Sequence, residues 1–106
     1  MSADALRAVR ARVAQGWSQD APARDAAGNE VPLTSAAAAA WSLCAALALA
    51  GKDGIPMNHI PRAIRAIADV TGADSLEGWN DDPHRTGADV LQALDAAIHA
   101  SEVGHT

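Results

Sequence analysis

The stretch SAAAAAWSLCAALALA, residues 35–50, decides the fold, because it is the most apolar part of the chain. Alanine is the best helix former among the amino acids. On a helical wheel Leu43 and Leu47 share one side, Trp41 lies on a second and Leu49 on a third. The pattern predicts one helix over 35–50 that is apolar on all sides. A helix of this kind is usually buried at the centre of its domain.

Three further segments carry apolar residues at steps of three and four, which is the spacing of an amphipathic helix. They cover residues 3–15, 59–71 and the chain after Thr86, where Asp89 completes a capping-box-like arrangement with the threonine. The predicted core residues of these segments are Leu6, Val9, Val13, Ile60, Ile64, Ile67, Val90, Leu91, Leu94, Ala97 and Ile98.

No segment alternates between apolar and polar residues over a useful length, so no sheet is predicted. The expected fold is therefore all-α: one compact four-helix domain over residues 1–106, with the Ala-rich helix buried in the middle. A long ordered loop over 18–33 joins the first and second helices. Loops of this length are often functional or are held down by side chains.

Composition narrows the classes of function. The net charge of −5 argues against general binding of nucleic acid, which needs clustered Lys and Arg. The single cysteine, Cys44, fits a reducing compartment, and the N-terminus lacks a signal-peptide pattern. Because the most apolar stretch is too short to span a bilayer, we expect a cytoplasmic protein with no membrane contact. Large apolar residues are few, so a homodimer is expected to supplement a thin core.

Polar and aromatic residues gather in the loop over 79–86 and in the long loop. Asn80 and Asp81 offer acceptors, Arg85 offers a planar set of donors, and two tryptophans offer an aromatic wall. The candidate binding residues are Trp17, Arg24, Asp25, Trp79, Asn80, Asp81 and Arg85. The same residue types are also expected where side chains hold loop backbone and cap a helix, with an Arg24–Asp81 ion pair fastening the long loop. Both interpretations stay open, and the structural one is favoured.

Several short motifs occur in a fixed order. They are Trp17-x-Gln19, Arg24-Asp25-x-x-Gly28 and Trp79-Asn80-Asp81-x-Pro83-x-Arg85-Thr86, followed by Val90-Leu91-x-x-Leu94-Asp95-x-Ala97-Ile98. This order resembles a small family of uncharacterised proteins from bacteria and their phages, and the C-terminal block carries most of the resemblance. The resemblance implies a shared fold and a shared surface, and it implies no reaction. Ser42 stands where the family tends to have cysteine, which indicates a packing role for that position.

Three functions remain open at this point. The leading one is a non-enzymatic binding or interaction module, such as a phage-related accessory or regulatory protein, that holds a protein or a small molecule. The second is a small hydrolase-like enzyme in which Asp81 and His84 act together while Arg24 or Arg85 holds an anionic group. The third is a nucleic-acid-binding regulator that uses the arginine faces of the first and third helices.

No cofactor and no metal site are predicted. Asp95 and His99 lie four residues apart on one helix face, and two ligands on an exposed face are an incomplete set for a metal. Cys44 is expected to be buried in an apolar helix, where a thiol is unreactive.

Overall fold

The computed structural model describes residues 2–103, and these contain five α-helices, one 3₁₀ turn and three short strands. In chain order they are α1 (Ser2–Gln15), β1 (Ala23–Asp25), β2 (Glu30–Val31), β3 (Ala38–Trp41), α2 (Leu43–Leu49), the 3₁₀ turn (Met57–His59), α3 (Ile60–Thr71), α4 (Leu76–Asn80) and α5 (Gly87–Val103).

The expectation of an all-α, four-helix domain is wrong, because the three strands form an antiparallel sheet in the order β2-β1-β3. Ala23 pairs with Val31 on one side and with Trp41 on the other. Two of the strands come from the segment predicted as a loop. They are two and three residues long, which is too short for a period of two to be visible in the sequence.

Residues 35–50 do not form one helix. Their first part is β3, and Ser42 then caps α2, its hydroxyl accepting a hydrogen bond from the Ala45 amide at 3.1 Å. Strand pairing overrides the helix propensity of the alanines, because β3 bonds to β1 on one edge and to the chain after α1 on the other. On that second edge the Trp41 amide donates to the Gly16 carbonyl at 2.9 Å.

The main core lies where α1, α2, α3 and α5 meet. Leu6 and Val9 of α1, Ile67 of α3 and Leu94 of α5 are fully buried there. The predicted central position of the Ala-rich helix is wrong, because Cys44 and Ala48, four residues apart in α2, leave one face of it exposed. The long helix α1, which contacts α2, α3, α5 and β3, is the element at the centre.

A second, smaller core lies beneath the sheet. Ala23, Trp41, Ala45 and Leu49 are buried in it, and partly buried residues of the β2 region cover it. Because α2 sends Ala46 and Leu47 into the main core and Ala45 and Leu49 into this one, α2 separates the two.

The predictions for the last helix and for α3 agree with the structure except at one residue. The Thr86 amide donates to Asp89 and the Asp89 amide donates to the Thr86 hydroxyl, which is a reciprocal capping box. Ile67 is fully buried, whereas Ile64, predicted for the core, is 42% exposed. Within residues 2–103 no helix has both the length and the apolar character needed to cross a bilayer.

Candidate functional site

The side chain of Asn80 is the best-connected polar group of the predicted site. It is 1% exposed, and its Oδ1 accepts from Trp17 Nε1 at 2.8 Å and from the Leu43 amide at 3.1 Å. Its Nδ2 donates to the Ser18 carbonyl at 3.1 Å and to Asp81 Oδ1 at 2.9 Å. All four hydrogen-bonding positions of the amide are therefore used, and Asn80 joins the end of α4 to the start of α2 and to the chain after α1.

Gln19 and Asp81 strengthen this junction. Gln19 Nε2 donates to the Asn80 carbonyl at 3.2 Å and to the Asp82 carbonyl at 2.6 Å. The carboxylate of Asp81 accepts from the backbone amide of Asp20 at 2.9 Å. Asp20 has a φ of 64°, a left-handed conformation that Asp and Asn tolerate better than other residues with a Cβ.

Trp79 and Arg85 form a separate pair. The guanidinium of Arg85 stacks over the Trp79 ring, 4.0 Å from its centroid, and its Nε donates to the Trp79 carbonyl at 3.0 Å. Trp79 packs against the main core, so the pair fixes the turn between α4 and α5. The guanidinium of Arg85, predicted to offer its donors to a ligand, thus contacts the backbone and the indole ring of Trp79 in its own chain.

Arg24 and Asp25 lie at the β1–β2 hairpin. Arg24 donates to the Gly28 carbonyl at 3.0 Å and to the Gln19 carbonyl at 3.1 Å. The Arg24–Asp81 ion pair proposed as the fastening of the long loop is not among the ion pairs formed by residues 2–103. Gln19 and Asp81 provide the fastening instead, both through backbone groups.

Asp25 organises the hairpin turn. Its Oδ1 accepts from the amides of Ala27 at 3.0 Å and Asn29 at 2.9 Å. The backbone hydrogen bond from Asn29 is the main cause that lowers the pKa of Asp25 below its usual value, since it stabilises the charged carboxylate.

A lowered pKa in the folded chain means that ionised Asp25 contributes stability at neutral pH. This contribution is complete above the pKa of the unfolded chain, about 3.9, and is lost as the pH falls through the lower folded value. We expect a ¹³C NMR titration of the Asp25 carboxyl to have its midpoint below that of the same residue in an unstructured peptide of residues 22–32. Equal midpoints would contradict the hydrogen-bonded turn.

An open cleft of about 290 Å³ adjoins the Asn80 junction. Its apolar walls come mainly from the chain before β1, from Leu33 and from the start of α2. We call it the acidic cleft, because its lining includes three carboxylates and contains no Lys or Arg. Its lining residues are Asp20, Ala21, Pro22, Leu33, Ser42, Cys44, Ala45, Glu77, Asn80 and Asp81.

Cys44 lies in this cleft, and the expectation that it is buried is wrong. Partial desolvation by the cleft walls raises the pKa of its thiol above the usual value, and the negative charges of Glu77 and Asp81 raise it further. The carboxylates therefore produce a negative potential at the sulfur atom.

The structure brings together Trp17, Asn80 and Asp81. Arg24 contacts this junction through the Gln19 carbonyl, the Trp79–Arg85 pair lies at the turn after α4, and Asp25 bonds within its own hairpin turn. Cleft residues that sequence reasoning missed are Asp20, Cys44 and Glu77. Nothing in the sequence marks Glu77 as a cleft residue, because glutamate is ordinary at an exposed position of a short helix.

The hydrolase-like alternative requires Asp81 and His84 to act together. Asp81 accepts hydrogen bonds from Asp20 and Asn80, and the hydrogen bonds in the described part of the chain include none between Asp81 and His84. His84 donates from its backbone amide to Asp82.

No group of three or more His, Cys, Asp or Glu side chains within residues 2–103 is placed to hold a metal ion.

The arginine face of α1 is largely neutralised by acidic residues. The ion pairs are Arg7–Glu102, Arg10–Asp95 and Arg12–Asp53. These arginines thus have less positive charge to offer a phosphate backbone than the sequence alone suggests.

Comparison with known proteins gives a family and no activity. No curated protein and no solved structure matches the chain. Residues 1–100 match the family of unknown function DUF6197. The match spans nearly the whole sequence, including both halves of the Asn80 junction, and the chain therefore belongs to the DUF6197 family.

Proposed function

We propose that this chain is a non-enzymatic binding module whose ligand site is the acidic cleft. The observation that carries the proposal is the composition of its lining, with carboxylates of Asp20, Glu77 and Asp81 beside apolar walls and with no basic residue. A concave, mostly apolar site with a few convergent polar groups is the usual form of a ligand site.

The lining defines the chemistry of the ligand. A positively charged group gains from the negative potential that also acts on Cys44. A short aliphatic stem gains from contact with Pro22, Leu33 and Ala45. We therefore propose a cationic group on an aliphatic stem as the ligand, and the side chain of lysine on a partner protein fits this description.

The predicted site residues divide into two roles under this proposal. Asn80 and Asp81 line the cleft, whereas the other five hold neighbouring segments of the chain: Trp17 bonds to Asn80, Arg24 and Asp25 bond in the region of the β1–β2 hairpin, and Arg85 stacks on Trp79 at the turn after α4. A wall that is fixed by buried hydrogen bonds loses little conformational entropy when a ligand binds.

A regulatory or accessory role in a bacterium or a phage agrees with a module that binds without chemistry. A reducing, cytoplasmic location belongs to the same proposal, since the sequence contains no second cysteine with which Cys44 can pair.

The single cysteine makes the cleft directly testable. We expect the peptide acetyl-Ala-Lys-Ala-amide to slow alkylation of Cys44 by iodoacetamide in a saturable manner. The neutral peptide acetyl-Ala-Gln-Ala-amide is expected to have no effect. The variant Glu77→Gln is expected to weaken the protection several-fold, since it removes one of the charges that act at the sulfur.

Glu30→Gln is the matched control, because Glu30 is an exposed glutamate of β2 outside the cleft lining. It removes the same charge and should leave the protection unchanged. Equal protection by the two peptides, or equal loss in the two variants, would exclude charge-selective binding in the cleft.

A further inference from the structure

A second concave surface runs between α2 and α3, and it shares two lining residues, Cys44 and Glu77, with the acidic cleft. Both helices pack on α1, and the space between them is an apolar groove of about 510 Å³. We call it the α3 groove. Its apolar lining includes Leu47, Ala48, Ile60, Ile64, Ala68 and Leu76.

One exposed aliphatic side chain, that of Ile64, lies in the lining of this groove. Of the four large hydrophobic residues that are exposed within residues 2–103, Met57, Ile64 and Val70 belong to the 3₁₀ turn and α3. Ile60, Ile64 and Ala68 follow each other at steps of four, so they form one stripe along α3. Such a stripe is the face that a helix normally buries against a partner.

The two rims of the groove differ in net charge, because the outer face of α3 carries Arg62 and Arg65 with a single acidic residue, Asp69. On the α4 side the lining includes the carboxylates of Asp74 and Glu77. On the α3 side Arg65 follows Ile64, about 100° further round the helix, and it is exposed. Arg65 takes part in none of the ion pairs among residues 2–103, unlike the arginines of α1.

We propose that the α3 groove is the interface of a homodimer in which each α3 packs into the groove of the other chain. In a homodimer whose two-fold axis runs parallel to the groove, the acidic rim of one chain faces the basic rim of the other, so the surface is complementary to itself. The rotation brings Arg65 of each chain to the acidic rim of the other. It also pairs the two Ile64 stripes.

The lining supports a helix as the occupant. The walls are mainly helical, apart from residues 73–75 between α3 and α4, and the lining includes no residue of the three strands, so it offers no sheet edge to which a strand can add. Ala48 and Ala68 are small, which allows a helix to approach closely. The α3 helix has both the apolar stripe and the flanking cation that this groove requires.

Sedimentation equilibrium of the full chain tests the proposal. We expect a monomer–dimer equilibrium, and Ile64→Glu should raise the dissociation constant by at least about tenfold, because it places a charge in the apolar contact. Val70→Glu is the matched control. It makes the same change on the same helix at a similar exposure, 39% against 42%, and Val70 does not line the groove. Circular dichroism is the check that each variant is folded.

The charged rims provide a second measurement. Arg65→Glu should weaken the dimer, and the double variant Arg65→Glu, Glu77→Arg should restore it. A chain that stays monomeric at all concentrations would overturn the proposal and leave the groove for a helix of another protein. A dimer that Ile64→Glu does not weaken more than Val70→Glu does would also overturn it. Because Cys44 and Glu77 line both the groove and the acidic cleft, lysine-peptide protection of Cys44 is measured in the Ile64→Glu variant at a concentration where it is monomeric, so that a failure of the cleft and a failure of the dimer are distinguished.

Discussion

Asn80→Ala is expected to lower the free energy of unfolding by about 4 kcal/mol, a large part of the stability of a domain of this size. The substitution leaves the indole N–H of Trp17, the amide of Leu43 and the carbonyl of Ser18 without the partners that they have in the native chain. Each buried polar group that loses its partner costs about 1–3 kcal/mol. Urea unfolding followed by tryptophan fluorescence measures the change.

Asn58→Ala is the control for this experiment. Asn58 is exposed in the 3₁₀ turn, and its removal should change stability by no more than about 0.5 kcal/mol. If the two alanine variants unfold at the same urea concentration, Asn80 is not the junction that the hydrogen bonds indicate.

Gly16→Ala is expected to destabilise the chain by about 3 kcal/mol, although Gly→Ala is often neutral or stabilising where the backbone permits it. A Cβ at this position would lie 2.3 Å from the Ala39 carbonyl oxygen and 3.0 Å from Ala40 Cα. Both atoms belong to the backbone of β3, so no side-chain rotation relieves the contact. The strand has to move away, which weakens its hydrogen bonds to the chain after α1.

Gly51→Ala provides the comparison, because a Cβ there meets only the flexible Met57 side chain, at 3.4 Å. We expect a change of less than about 1 kcal/mol in urea unfolding. A Gly16→Ala protein as stable as the Gly51→Ala protein would show that β3 does not approach α1 as closely as described.

Helical periodicity and capping residues in the sequence are sufficient to predict the helices α1 and α5. The extent of α1 and the start of α5 agree with the predicted helical segments, and the capping box of Thr86 and Asp89 forms as predicted. Residues 35–50 were misassigned because propensity favours helix throughout that stretch. The pairing of β3 with β1 and with Gly16 is a tertiary interaction that periodicity does not reveal.

The candidate site was predictable in part for the same reason. Trp17, Asn80 and Asp81 stood out as residue types and do lie together. The prediction of one central helix over 35–50 places Cys44 in a buried position, which the structure contradicts. Cys44 is exposed because the chain changes from strand to helix at Ser42. The cleft depends on this change, so the sequence does not predict it without β3.

The reach of the Asn80 side chain has a consequence for the order of events during synthesis. The Asn80 amide bonds to Trp17 and Ser18, which lie 63 and 62 positions before it in the chain, and to Leu43, which lies 37 positions before it. Contacts between distant positions slow folding, since a long chain segment must close before they form. We expect the emerging polypeptide to stay open on the ribosome until α4 has been translated, and a chain truncated before residue 80 to expose Trp17 and the edge of β3 to aggregation.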